Sequence, residues 1–153
     1  MKILDRIKND PNFLVFMSSL AALILAYGSE FLFDLVPCML CIYQRIPYFI
    51  LFFISLICIA SPKSKGYFLY FIIPLYLLEI ILAGYHIGVE HYWIEENYVC
   101  QSDGIMEALT TKNIAASCSE VKFKFMNFSM AEWNFIYAGS ILYWFIRSVR
   151  RNG

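Results

Sequence analysis

Charge is scarce in this chain: Asp, Glu, Lys and Arg make up 16% of its 153 residues, and 12 basic residues balance 12 acidic ones. Soluble domains carry about a quarter of their residues charged, so this composition does not suit a fully water-facing surface. With no net charge, a broad electrostatic attraction to nucleic acid or to an acidic substrate is excluded. Internal repeats and low-complexity segments are missing too. Ser61-Pro62-Lys63-Ser64-Lys65-Gly66 is a turn too short to separate domains, so residues 1–153 read as a single domain. The apolar runs also lack the period-two alternation of barrel strands, which leaves helices as the only way to satisfy the backbone in lipid.

What is abundant is apolar: 60% of the residues are hydrophobic and 18% aromatic. Four stretches stand out, Phe13 to Phe33, Ile46 to Ala60, Tyr67 to Ala83 and Trp133 to Ile146. A bilayer core needs about 20 helical residues. The first and third fit that length, and interfacial Tyr43 and Gln44 extend the second while a snorkelling Arg147 extends the fourth. The expected fold is an all-α membrane protein, a bundle of four transmembrane helices with outer loops at about 31–42 and 85–132. Pro47 is expected in the first turn of the second helix, where a missing amide is tolerated, and Pro74 in the middle of the third. Lys2, Arg6 and Lys8 before an apolar run imitate a signal peptide, but apolar character continues past Ala26-Tyr27-Gly28 through Phe33, so a retained span is expected.

Basic residues set orientation through short loops. With four spans, Lys2, Arg6, Lys8, Lys63, Lys65, Arg147, Arg150 and Arg151, eight of the 12, share one face. Only Arg45, Lys112, Lys122 and Lys124 fall on the other. Both termini are therefore expected in the cytoplasm. Cys38, Cys41, Cys100 and Cys118 then lie on the non-cytoplasmic side, where disulfides persist, and Cys58 alone lies within a span. Cys100 and Cys118 are expected in a mobile outer loop able to reach a soluble protein. Four such cysteines allow three pairings, and spacing does not choose among them.

The densest chemistry is Pro37-Cys38-Met39-Leu40-Cys41-Ile42-Tyr43-Gln44-Arg45, where the first outer loop enters the second span. Two cysteines three apart close a small, easily reduced disulfide, and a helix starting at either one favours a thiolate there. Arg45, four residues past Cys41, is expected on the same helical face, placed to stabilise a thiolate and polarise a carbonyl of a lipid-soluble acceptor. A Cys-x-x-Cys alone is equally half of a zinc site. The second outer pair tilts the balance towards a redox relay, in which one dithiol meets the substrate and the other the acceptor.

Cys38-Met39-Leu40-Cys41-Ile42-Tyr43-Gln44-Arg45 resembles the signature of the DsbB family of disulfide bond formation proteins. Four spans with both termini inside and a separated cysteine pair in the second outer loop are similar to the family plan, as are His86 after the third span and Ser129-Met130-Ala131-Glu132-Trp133 before the fourth. Many members carry proline at the Ala131 position, a departure that touches local backbone geometry. The resemblance implies a protein-dithiol:quinone oxidoreductase of the bacterial inner membrane, surrounded by membrane lipid. Its cofactor is implied to be a quinone, ubiquinone or menaquinone, and its partner a DsbA-like thioredoxin-fold protein. Cys100 is implied to exchange with that partner and Cys118 with Cys38, leaving Cys41 facing the quinone beside Arg45, with His86 as a further quinone-binding residue. No metal ligand is assigned in this scheme. The rival readings are a zinc-binding membrane protein using Cys38, Cys41 and His86 or His91, and a structural four-span protein stapled by its loop cysteines.

Further expectations rest on single residues. Glu79, as the one acid within a span, is expected to face the bundle as a neutral or paired structural carboxyl. Glu90 and His91 are expected as interfacial polarity, and Cys58 as a small buried hydrophobe. Asn127-Phe128-Ser129 matches a glycosylation sequon, a weak pattern. Tyr48 and Trp133 are candidates to line the site.

Overall fold

A computed structural model describes residues 10–61, 65–95, 117–121 and 123–152. Lys2, Arg6, Lys8, Lys63, Cys100, Lys112 and Lys122, which enter the charge and cysteine readings, lie outside the described residues. The described chain is mostly helical: α1 is Pro11–Phe33, α2 Met39–Ala60, α3 Lys65–Glu90 and α4 Met130–Asn152. Among the described residues, three helices are long and apolar enough to cross a membrane, over Pro11–Phe33, Met39–Ala60 and Tyr70–Glu90. The fourth is equally long but carries Glu132, Asn134, Arg147, Arg150 and Arg151, which dilute its apolar character.

Each helix outruns the apolar stretch that announces it, and capping groups set the starts of α1, α2 and α4. Asp10 accepts the amide of Asn12 at 3.1 Å and Pro11 fills the first helical position of α1, where no amide partner is required. Asp34 closes α1 in the left-handed conformation, with φ 50°. At α4, Ser129 and Glu132 form a reciprocal capping box: the Ser129 hydroxyl accepts the Glu132 amide at 3.1 Å, and the Glu132 carboxylate accepts the Ser129 amide at 2.7 Å. The box starts α4 without a proline at Ala131. Pro47 does not occupy a first turn, since α2 begins at Met39 with Cys38 as its cap. It lies inside the helix and is almost fully buried, so the Tyr43 carbonyl one turn earlier loses its usual amide donor.

The helices pack α1 on α2, α2 on α3, α3 on α4 and α4 back on α1. Val15, Tyr48, Leu51, Ile72, Tyr76, Ala138 and Phe145 form the buried core between them. Most other large apolar side chains point outwards, among them Leu25, Phe53, Phe71, Ile81 and Trp144, the inverse of a soluble surface and the arrangement suited to lipid. A two-stranded hairpin, β1 (Lys124–Phe125) with β2 (Phe128–Ser129), precedes α4. It is a small addition to the mostly helical architecture that the sequence leads one to expect. Its turn has both central residues, Met126 and Asn127, at positive φ, which matches the twist of tight hairpins and is uncommon for methionine.

Polar groups inside the bundle find one another. Glu79, fully buried, accepts the Asn134 amide at 2.6 Å, and Asn134 in turn accepts the Tyr48 hydroxyl at 2.8 Å. The Ser18 and Tyr76 hydroxyls share a bond at 2.8 Å, and Tyr137 donates to the Ser18 carbonyl. Glu79 thus faces the bundle with a partner, but it is not the only acid in a span, because Glu30 lies within α1. Asn134→Ala would leave the Glu79 and Tyr48 oxygens without their partner. At about 1–3 kcal/mol for each buried group stranded, the variant is expected to unfold measurably earlier in reversible mixed-micelle titrations. A wild-type midpoint would contradict the network.

Candidate functional site

The Cys-x-x-Cys sits where α2 begins, and its backbone explains its chemistry. Cys38 is the helix N-cap, its sulfur accepting the Cys41 amide at 3.3 Å, so it takes the place that a Ser or Asp oxygen takes in other helices. The two sulfurs are 3.1 Å apart and both thiols are free. From α3, the His86 Nε2 comes within 3.5 Å of the Cys38 sulfur and 3.7 Å of the Glu90 carboxylate. The Gln44 amide lies 3.5 Å from Nδ1; when it donates there, the ring proton resides on Nε2, facing Cys38 and Glu90. The Cys41 side chain, which shares its proton with Cys38, pulls the Cys38 pKa well below the ordinary thiol value. Burial opposes this, and His86 then adds to the lowering. Negative charge in the reduced pair is therefore favoured on Cys38.

Cys118 reaches the same place from the segment between α3 and α4. It is 1% exposed and packs in one buried cluster with Cys38, Leu40 and Val89, with Cys41 and Tyr85 at its edge. Its sulfur is in a disulfide. The expectation of a Cys118 open to a soluble protein is corrected by this burial against Cys38. Cys100 lies outside the described residues.

A cavity of about 490 Å3 opens beside these sulfurs, within the range of small-molecule sites. Ala22, Leu23, Leu25, Phe33, Val36 and Phe123 give it apolar walls. Cys38, Cys41, Gln44, Arg45, Tyr48, His86 and Asn134 supply its polar points, and Trp133 also lines it. Arg45 lies in this wall, but its charge is met by α1 rather than by a cysteine: it pairs with Glu30 at 2.7 Å and sits 4.5 Å over the Tyr27 ring. Its Nε–H is buried and has no acceptor among the described residues.

Several of these residues carry little signal in the sequence. Glu30 and Tyr27 are distant from the motif, and only an acid at the end of an apolar run hints at the first. Asn134 is a lone polar residue in the fourth run. Glu90, expected as interfacial polarity, is instead nearly buried, accepting the Ser129 hydroxyl at 2.5 Å and facing His86. Its spacing four residues after His86 is the available signal. His91 stays outside the cavity wall, paired with Glu132 at 3.2 Å and stacked on Trp93. Cys58 is fully buried in α2.

A family model described as Disulfide bond formation protein DsbB matches residues 8–147. The chain belongs to the DsbB family. Family membership makes it a multi-pass membrane protein of disulfide bond formation, with the oxidoreductase activity that this implies. An uncharacterized protein of Rickettsia prowazekii (strain Madrid E) is 31% identical over 134 residues, which cover 82% of this chain and 78% of that protein. No solved structure matches the chain.

Proposed function

We propose that this chain is a protein-dithiol:quinone oxidoreductase, a four-span bundle of the bacterial inner membrane that reoxidises a soluble DsbA-like partner and delivers the electrons to a membrane quinone. The observation that carries the reading is the burial of disulfide-bonded Cys118 against Cys38, whose own pair with Cys41 is reduced at the wall of an apolar cavity. Two thiol couples in contact, one beside a ligand-sized cavity, are what a relay requires.

The relay runs as successive thiol exchanges. A partner thiolate attacks Cys100 in a Cys100–Cys118 disulfide, and Cys118 leaves as a thiolate. Cys118 attacks Cys38 in the Cys38–Cys41 disulfide, releasing Cys41. The partner's second thiol resolves the mixed disulfide and frees Cys100, which attacks Cys118 and releases Cys38. The outer pair is again a disulfide and the inner pair holds two electrons, matching the free Cys38 and Cys41 and the bonded Cys118.

The cavity suits a quinone: its walls are mostly apolar, and the Arg45 Nε–H, without an acceptor among the described residues, matches a carbonyl oxygen. A quinone supplies capacity for two electrons and two protons, the number released when a dithiol closes to a disulfide. Arg45 would hold and polarise the carbonyl end. With the Gln44 amide donating to Nδ1, His86 would carry its proton on Nε2 beside Cys38, placed to steady the thiolate and to pass that proton on as the sulfurs join. The test is quinone reduction by the purified chain when offered a reduced thioredoxin-fold partner; no reduction would remove the proposal.

Orientation follows from the basic residues, with both termini cytoplasmic and the cysteine end outside. Reporters fused near Lys63 and after Gly153 are expected to be active as cytoplasmic fusions, and one near Ser102 as an exported fusion. A cytoplasmic signal from Ser102 would overturn the scheme.

A further inference from the structure

We propose that the reduced Cys38 and Cys41 thiols, together with His86, bind one divalent d10 cation of the zinc and cadmium class, and that the bound ion holds the chain in its reduced state. This rests on the reading above only in taking the reduced pair as a stage of turnover. The Cys38 and Cys41 sulfurs and a His86 ring nitrogen all lie within 4.8 Å of one another, and Cys38 and His86 are buried. Two thiolates and an imidazole are a donor set that selects such cations over magnesium or calcium, and they leave a fourth position towards the cavity.

The distances fit with little movement. A tetrahedral zinc bonded at about 2.3 Å to sulfur and about 2.0–2.1 Å to nitrogen holds two sulfurs about 3.8 Å apart and sulfur and nitrogen about 3.5 Å apart. Cys38 and His86 already stand at 3.5 Å. Cys41 must open from 3.1 Å, a small side-chain rotation at a residue that lines the cavity. His86 coordinates through Nε2, so its proton moves to Nδ1, where the Gln44 amide oxygen accepts it after the amide turns over. Any proton still on sulfur is released to water, and no electron moves.

Two consequences follow from this chemistry. A closed Cys38–Cys41 disulfide has no thiolate to give, so the site exists only in the reduced state. An occupied site ties up both sulfurs, so the disulfide cannot re-form and turnover stops until the ion leaves. The chain would then respond to soft cations on its cysteine side without using a metal in its reaction.

The test uses Cd2+ on the purified full chain, reduced and kept anaerobic, in the Cys100→Ser, Cys118→Ser double variant so that loop thiols do not compete. One Cd2+ per chain is expected, with a sulfur-to-cadmium absorption band, and none after Cys38 and Cys41 are oxidised to a disulfide. The chain has two histidines, which makes the discrimination clean. His86→Ala should weaken binding at least about tenfold, since even partners outside the metal shell contribute that much, whereas His91→Ala should leave it unchanged. Cd2+ bound equally well by His86→Ala, or by Cys38→Ser, would overturn the inference. In the wild-type chain, Cd2+ filling the site should halt quinone reduction and a chelator restore it; undiminished reduction would also overturn it. Quinone reduction measured without cation tests the oxidase reading separately.

Discussion

Cys118→Ser is expected to accumulate a covalent complex between this chain and its soluble partner, joined through Cys100, while Cys100→Ser forms little. A mixed disulfide survives when the thiol that should carry the exchange onward is absent. Here the Cys100 thiolate forms it by attacking the disulfide of an oxidised partner, and the missing thiol is Cys118, which would otherwise attack Cys100, close the outer disulfide and release the reduced partner; the fold buries Cys118 against Cys38. Cys41→Ser is expected to abolish quinone reduction while still permitting partner contact, because Cys38 then has no second sulfur with which to close a disulfide. Non-reducing gels with tagged partner, run beside quinone-reduction assays, separate these outcomes. Partner trapped on Cys38 or Cys41 with both loop cysteines intact would reverse the assigned order.

Arg45→Met is expected to raise the apparent KM for quinone about ten- to a hundredfold, the equivalent of losing a charged hydrogen bond of about 1.5–3 kcal/mol, with partner binding largely unchanged. The buried Nε–H, which has no acceptor among the described residues, is the reason to expect a large effect. Arg45 also neutralises Glu30 at 2.7 Å, so its loss leaves a carboxylate stranded in the wall of α1 and adds a structural defect to the loss of contact. Adding Glu30→Gln to Arg45→Met removes that second effect. Recovered folding without recovered KM would assign the loss to quinone contact, and a recovered KM would remove Arg45 from direct binding. Arg45→Lys should recover only a fraction of the affinity, since lysine keeps the charge but lacks the guanidinium's second edge.

The site is legible where its residues share one segment and obscure where they do not. Cys38, Cys41, Gln44 and Arg45 stand within eight residues, and helical periodicity alone puts them near one another. Yet the direction in which Arg45 points is not available from that spacing. An arginine side chain spans several ångströms, and whether it turns towards Cys41 or Glu30 depends on α1 packing beside α2. Glu90 shows the same limit: its spacing from His86 is visible, but its burial depends on the Ser129 hydroxyl arriving with the capping box of α4. Glu79 is placed inwards by the cost of a charge in lipid, whereas its partner Asn134 requires the docking of α4 on α3.

Composition and run length by themselves determined that this is a helical membrane chain, because the hydrophobic thickness of a bilayer and the need to satisfy every backbone group in it act on local sequence. The short motif likewise determined that thiol chemistry is centred on Cys38 and Cys41, since a Cys-x-x-Cys at a helix start brings its own geometry and amide donors. Only the tertiary structure decided which cysteine caps the helix and carries the charge, that Cys118 is buried against it, and that His86, Glu90 and Arg45, itself paired with Glu30, line one cavity. Those relations join residues up to tens of positions apart on different helices. Their distances are set by how the helices pack, a property of all the side chains together that no local pattern records.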